Sequence, residues 1–258
     1  MKKSLSIETM FGDAPYYERF AKARAAGFDY VELDDWTELD ITRVREELTA
    51  NGLTLTAMSG ARNHSLADPG QREDFLEFLS QSIAVARNFG CANIVVASEA
   101  EVRSSVRLGI DRKDDFMKMA AVTRALMEAA QKAAKAGMTL LVKPFGPRAS
   151  AAHYGGSIPS AADVVRVVGS PALRLLYEVR VDETNGPAMA EGMRKYRDLI
   201  DYVRVVDSWE RSESEGCGES FSRIRGALDE QLGYDGIVCF EMRTGSGEKD
   251  CIEDIRAF

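Results

Sequence analysis

Short apolar runs alternate with amphipathic, helix-like stretches eight times along this chain, and no other feature constrains its fold as much. The predicted strands cover 4–9, 30–33, 53–58, 93–97, 139–143, 173–178, 203–206 and 237–241. The predicted helices cover 16–26, 41–51, 71–89, 114–136, 161–168, 188–200, 221–232 and 252–258. Strand-then-helix repeats are typical of a parallel sheet, and eight of them without a linker predict a single (β/α)8 TIM barrel over residues 1–258. A doubly wound open sheet produces a similar pattern and remains the alternative.

Glycine stands directly after six of the predicted helices. Such a residue is expected just past the carboxyl end of a helix, where the backbone often turns left-handed. The six positions are Gly27, Gly52, Gly90, Gly137, Gly169 and Gly233. The last predicted helix, 252–258, is short, so one flank of the barrel could lean on a second subunit, and a homodimer is plausible.

The composition is that of a globular protein that acts on a small molecule. The chain has 258 residues, of which 45% are hydrophobic, enough for one sizeable core. Its net charge of -8 offers no general basic surface, so nucleic acid is not an expected partner. The four cysteines lack the close spacing of a metal site, and neither a signal peptide nor a membrane span is expected. A cytoplasmic location fits best.

Four apolar runs in the second half of the chain carry a charged residue at or near their end. These residues are Lys143, Glu178, Arg204 and Glu241. If the runs are neighbouring parallel strands, the four side chains converge on one mouth of the barrel, the end at which TIM barrels carry their chemistry. We therefore take them as the candidate catalytic residues.

Several motifs make the chain resemble the xylose-isomerase-like family of sugar isomerases and epimerases, which includes hydroxypyruvate isomerase and the ketose 3-epimerases. The most specific motif follows the seventh strand: Asp207, Arg211 and then the G-x-G-E segment 216–219. Weaker pieces are the segment 25–32 at the second strand, 67–69 before the third helix and 233–236 before the eighth strand. The resemblance spans nearly the whole chain and implies the same barrel fold.

The resemblance also implies a site from which this chain departs. Family members typically hold a divalent metal with Glu, Asp, His (sometimes Gln) and Glu at the ends of strands five to eight. Here Lys143 and Arg204 stand at two of those positions, and the further strand-six position, usually His, is Val181. Neither a protonated lysine nor a guanidinium offers a lone pair to a metal. The usual metal is therefore not expected, although Asp207 or Glu32 could join Glu178 and Glu241 in an altered Mg or Mn site.

These substitutions leave three functional hypotheses open. In the first, Lys143 and Arg204 replace the metal, Glu241 removes a proton alpha to a carbonyl and Lys143 acts as the acid, in metal-independent isomerisation or epimerisation of a small keto-sugar or hydroxy-acid. In the second, the four charges are ion pairs in a degenerate, non-catalytic sugar-binding or interaction protein. In the third, Lys143 forms a Schiff base in a lyase, dehydratase or decarboxylase.

Further residues are candidates for substrate binding. They are Glu32, His64, Arg180, Asp207 and Arg211. An arginine can clamp a carboxylate or a phosphate through paired hydrogen bonds. The glycine-rich segment 216–218 is of the kind that binds phosphate at a helix amino terminus.

Overall fold

The computed structural model of the chain describes residues 1–60, 64–97, 115–144, 158–181, 186–207, 217–243 and 248–258. Its strands are β1 (Lys2–Ser6), β2 (Tyr30–Leu33), β3 (Thr54–Ser59), β4 (Asn93–Ala97), β5 (Thr139–Lys143), β6 (Leu173–Arg180), β7 (Ile200–Val206) and β8 (Ile237–Glu241). Its helices are α1 (Glu18–Ala25), α2 (Ile41–Ala50), α3 (Arg72–Phe89), α4 (Asp115–Ala136), α5 (Ile158–Val168), α6 (Gly186–Lys195), α7 (Gly218–Gly226) and α8 (Glu248–Ala257).

The strands form a closed barrel in the order β1 to β8. Parallel pairing is described between β1 and β2, between β4 and β5, and between β8 and both β7 and β1. This order confirms the predicted (β/α)8 TIM barrel and excludes the open sheet.

Local sequence signals account for several helix ends. Asp40 precedes α2, and its side chain accepts hydrogen bonds from the backbone N–H groups of Thr42 and Arg43, at 3.0 and 3.1 Å. All six glycines predicted to end helices have positive φ, and Gly90 after α3 has a φ of 68°. The predicted punctuation is therefore confirmed.

Several predicted boundaries in the second half of the chain were wrong. Helix α6 ends at Lys195 rather than 200, and Ile200 already begins β7. The prediction ran too far because Leu199 and Ile200 continue the apolar spacing of the helix. Strand β6 runs two residues past Glu178, and β7 begins at Ile200 rather than 203 but ends at Val206 as predicted. Glu178 and Arg204 therefore lie two residues before the ends of their strands. Helix α8 begins at Glu248 rather than 252, with acidic residues in its first turn, where they favour a helix. At ten residues α8 no longer gives a reason to expect a dimer, which stays a prediction.

The chain divides into two compact units. The first comprises 1–57 and 177–258. In its core Phe221 of α7, Phe240 of β8 and the last residue, Phe258, form an aromatic cluster whose ring centroids lie 5.0–6.0 Å apart. Such edge contacts add to the burial of the three rings and tie the end of the chain to β8.

The second unit comprises 58–176. Its core includes Leu79 of α3, Ile94 of β4 and Leu126 of α4, all fully buried. Gly60, the residue after β3, packs so closely against Ile94 of β4 that a Cβ atom at position 60 would lie 2.2 Å from Ile94 Cγ2. Any larger residue would displace the packing of β4. Across the described part of the chain, no helix is both long and apolar enough to span a membrane.

Candidate active site

Buried polar side chains line the strands of the first unit. Residues two apart in a strand share a face, so Tyr202 and Arg204 point to one side of β7 while Val203 and Val205 point to the other. Arg204 lies beside Cys239 in the pairing of β7 with β8, and Ser6 lies beside Glu32 in that of β1 with β2. The buried polar residues on these strands and β3 are Ser4, Ser6, Glu32, Thr56 and Arg204.

Arg204 and Glu32 form a buried ion pair. Both side chains are only 3% exposed, and Arg204 Nη2 donates directly to Glu32 Oε1. Burial raises the pKa of Glu32, while Arg204 and Tyr202 oppose that shift. Burial works to lower the pKa of Arg204, but Glu32 and Glu241 outweigh it and hold that pKa well above its usual value. Arg204 is therefore a permanent cation inside this unit.

A chain of hydroxyl groups supports the other oxygen of Glu32. Tyr202 Oη donates to Glu32 Oε2 at 2.5 Å. Thr56 Oγ1 lies 2.9 Å from Tyr202 Oη and 2.8 Å from Ser4 Oγ. All four residues are buried, so the network is shielded from solvent and its hydrogen bonds are strong.

Glu241 is the solvent-accessible residue next to this network. Its Oε2 lies 3.4 Å from Arg204 Nη1, and its side chain is 34% exposed. Glu178, half-buried in β6, adds a further negative charge that raises the pKa of Arg204. The structure thus brings Glu32, Glu178, Arg204 and Glu241 together. Of the two carboxylates paired with Arg204, only Glu241 is accessible enough to meet a small molecule.

The carboxylate of Asp207 contacts another residue of the protein, Arg243. Its Oδ2 accepts a hydrogen bond from the backbone N–H of Arg243 at 3.2 Å and lies 3.8 Å from Arg243 Nε. The side chain of Asp207 is 4% exposed. The side chains of Asp207 and Glu32, both predicted to bind substrate, and of Arg204, predicted to be catalytic, are thus at most 4% exposed. Their direct contact with a substrate stays a prediction.

Lys143 lies in the second unit. It ends β5, half-buried, in register with Ala97 of β4. Its expected role as an acid rests on the sequence.

The remaining candidates lie on other elements. His64 precedes α3, with its ring 5.5 Å from that of Phe78, and its Nδ1 atom is buried without a hydrogen-bond partner among the described residues. Arg180 is half-buried at the end of β6. Arg211 and Gly216 lie outside the described residues.

At the start of α7, where the sequence predicts phosphate binding, one backbone N–H group contacts a carboxylate of the protein. The backbone N–H of Cys217, the residue before α7, donates to Asp254 Oδ2 of α8 at 2.9 Å. Gly218 is also close to this carboxylate, because a Cβ there would lie 3.0 Å from Asp254 Oδ1. The Asp254 carboxylate thus lies beside the amino terminus of α7, where negative charge is favoured. Phosphate binding by the segment 216–218 stays a prediction, because Gly216 lies outside the described residues.

Sequence reasoning missed Tyr202, Thr56, Ser4 and Glu8. A polar residue inside an otherwise apolar strand was the available signal for Ser4 and Thr56. Glu8 follows β1, and its carboxylate accepts a hydrogen bond from Tyr16 Oη at 2.9 Å. Burial and the nearby charge of Asp34 raise the pKa of Glu8 to about 8.

The residues present do not fit the divalent metal that the resemblance implies. Instead of a ligand, Arg204 brings a cation to Glu32 and Glu241, and a divalent ion there would face a like charge. Within the described ranges, no three His, Cys, Asp or Glu side chains are grouped so that they could hold a metal ion. The altered Mg or Mn site with Glu32 or Asp207 is disfavoured too, because Arg204 and Arg243 engage those two carboxylates.

Comparison with known proteins identifies the family. The sequence pattern of the xylose isomerase-like TIM barrel matches residues 20–258. The chain is 23% identical to hydroxypyruvate isomerase of Escherichia coli K12 over 253 residues, 94% of this chain and 93% of that protein. The chain therefore belongs to the xylose isomerase-like TIM barrel family.

Two solved structures share the fold. An AP endonuclease, family 2, from Brucella melitensis has a TM-score of 0.80 at 20% identity, covering 96% of each chain. The 3-keto-D-glucoside 4-epimerase of E. coli has a TM-score of 0.77 at 18% identity, covering 100% of each chain. At these identities the likeness concerns the fold alone.

Proposed function

We propose that this member of the family is an isomerase or epimerase that moves a proton next to the carbonyl group of a small hydroxy-keto acid or keto-sugar, without a divalent metal. The observation that carries the proposal is Glu241, a partly exposed carboxylate held 3.4 Å from the buried guanidinium of Arg204. The relative named hydroxypyruvate isomerase supports both the reaction class and a small hydroxy-keto acid as substrate.

Glu241 is the base in this proposal. Its carboxylate takes a proton from the hydroxyl-bearing carbon beside the carbonyl, and the electron pair moves to the carbonyl oxygen to form an enediolate. Return of a proton to the former carbonyl carbon, with proton transfer between the two oxygens, completes an isomerisation. Return to the original carbon on its other face completes an epimerisation at a chiral centre. No atom is gained or lost.

Metal independence is supported by the donor set. The cation beside Glu241 belongs to the protein, since Arg204 is buried and paired on its other side with Glu32. A preorganised guanidinium can stabilise and orient the negative charge of the Glu241 carboxylate without the reorganisation that surrounding water would need.

The test uses protein treated with a chelator and hydroxypyruvate in D2O. Proton NMR should show conversion to the aldehyde isomer together with loss of the substrate signal by exchange. Glu241→Gln should lower the rate by about 100-fold or more. Glu46→Gln, on the exposed face of α2, is the matched control and should leave the rate unchanged. Activity that disappears on chelation and returns with Mn²⁺ would contradict metal independence.

Two further measurements distinguish the alternative functions from this one. Borohydride with the keto substrate leaves a covalent adduct on Lys143 only if this residue forms a Schiff base. If no keto-sugar or hydroxy-keto acid is turned over but one stabilises the fold, the non-catalytic binding protein is the better description.

A further inference from the structure

Six side chains form one run of contacts through the first unit, here called the buried chain. In order of contact they are Ser4, Thr56, Tyr202, Glu32, Arg204 and Glu241. The members come from five strands, with Tyr202 and Arg204 both on β7. A network of this extent positions its last member more tightly than a single pair could.

Access to the buried chain is restricted to one end. The side chain of Glu241 is 34% exposed, whereas those of Arg204 and Glu32 are 3% exposed. Tyr202 and Ser4 have no exposed surface. A small substrate can therefore contact Glu241, and the other five residues influence a reaction only through it.

The direction of the hydrogen bonds to Glu32 follows from the chemistry of their donors. Arg204 and Tyr202 both donate to Glu32, one to each carboxylate oxygen. Thr56 Oγ1 donates to the backbone carbonyl of Val31 at 3.0 Å and also lies 2.9 Å from Tyr202 Oη, so it packs against that hydroxyl. Glu32 therefore has a fixed donor on each carboxylate oxygen.

Glu32 in turn determines where Arg204 lies. The guanidinium is planar, and Nη2 is committed to Glu32, so Nη1 faces Glu241. The Nε atom of Arg204 is buried without a hydrogen-bond partner among the described residues. The contacts with Glu32 and Glu241 therefore hold the guanidinium in place.

We propose that Tyr202 and Glu32 are positioning residues. They hold Arg204 so that its guanidinium fixes the carboxylate of the base Glu241, a role that a metal ion has in other active sites. The role of Glu241 as base rests on the proposed function. The buried chain itself is independent of it and can be tested in the resting protein.

The first test compares two tyrosines whose hydroxyl groups donate hydrogen bonds within the protein. Tyr202→Phe removes the hydroxyl that holds Glu32. Tyr234→Phe is the matched control, because its hydroxyl donates to the backbone carbonyls of Asp201 and Ile237, away from Glu32. With hydroxypyruvate, Tyr202→Phe should lower kcat by roughly tenfold to a hundredfold and leave KM unchanged. Tyr234→Phe should change neither.

The second test needs no turnover. Nitrogen-15 NMR of the arginine side chains should resolve distinct Nη1 and Nη2 signals for Arg204, since each faces a different carboxylate. Tyr202→Phe should merge or broaden them, and Tyr234→Phe should preserve them. Thr56→Val removes the hydroxyl that contacts Tyr202 Oη, with little change in volume, and it should act in the same direction if Tyr202→Phe folds poorly.

The two tests separate the two proposals. If wild-type protein is active and Tyr202→Phe changes neither kcat nor the Arg204 signals, the positioning role is wrong while the proposed function stands. If Tyr202→Phe alters the signals but wild-type protein turns over none of the substrates, the buried chain is real and the proposed function is wrong.

Discussion

Arg204 and Glu32 form a buried ion pair, and burying two charges is costly unless each has good partners. Here Tyr202 supplies a hydrogen bond to Glu32, and Glu241 supplies a second carboxylate to Arg204. The loss of one partner would leave the other as an uncompensated charge in the same surroundings.

A double-mutant cycle measures this dependence. Arg204→Met should lower the free energy of unfolding by about 3–5 kcal/mol, because Glu32 remains buried without its cation. Combining it with Glu32→Leu should recover much of that loss, which urea unfolding would report. The exposed pair Arg223–Glu219 on α7 is the control, and its cycle should stay within about 1 kcal/mol. A double variant as unstable as the sum of its single changes would contradict the expected coupling.

Glu8 should make stability depend on pH. Its pKa rises from the usual 4.5 to about 8 in the folded protein. The neutral form is thus favoured by folding, and the contribution is fully present below about pH 4.5 and is lost as the pH rises through 8. The slope should reach about 1.4 kcal/mol per pH unit inside this window.

Glu8→Gln keeps an acceptor for Tyr16 but cannot ionise. Its free energy of unfolding should therefore lose the Glu8 part of the slope and should exceed that of the parent near pH 8. Glu46→Gln, exposed on α2, should follow the parent curve. Parallel curves for the parent and Glu8→Gln from pH 5 to 8 would show that the Glu8 carboxyl is not perturbed.

At the level of elements, one arginine organises the loop between β1 and α1. Arg19 donates hydrogen bonds to the backbone carbonyls of Ile7, Glu8, Gly12 and Ala14, at 3.0–3.1 Å. Loop carbonyls without a partner are costly when part-buried, so a single side chain stabilises the whole loop.

Arg19→Met tests this interpretation while keeping the length of the side chain. It should lower the free energy of unfolding by about 2 kcal/mol and speed amide hydrogen exchange across residues 7–17. Arg24→Met on the exposed face of α1 is the control and should do neither. Unchanged exchange in the loop would mean that its own packing suffices.

Element positions were more predictable than contacts between elements. Strands β2, β4, β5 and β8 lie where predicted, because each is a short apolar run bounded by polar residues or glycine. The boundary between α6 and β7 was wrong because Leu199 and Ile200 suit both periods. Arg204 was visible as a charge in an apolar run, whereas its pairing with Glu32, 172 residues away, depends on register and closure, which no local pattern encodes.

The molecule as a whole should not require a divalent metal for stability. The cation that faces Glu32 and Glu241 is covalently part of the chain. Chelation should therefore leave the midpoint of thermal unfolding unchanged, and added Mn²⁺ should not raise it. An increase that saturates with Mn²⁺ concentration would contradict this expectation, since a ligand of the folded state stabilises it by mass action. The lack of nucleic-acid binding, expected from a net charge of -8, remains a prediction.

The order of synthesis gives the Arg204–Glu32 pair a further consequence. The first unit is built from residues 1–57 and 177–258, whereas residues 58–176 form a continuous unit. As the chain leaves the ribosome, Glu32 emerges long before its cation, and burying an unpaired carboxylate is unfavourable. The amino-terminal strands can therefore complete their packing only after the last third of the chain has been synthesised. A truncated chain that lacks β7 would keep an unneutralised acid where its interior should form, which makes it a target for chaperones and proteases.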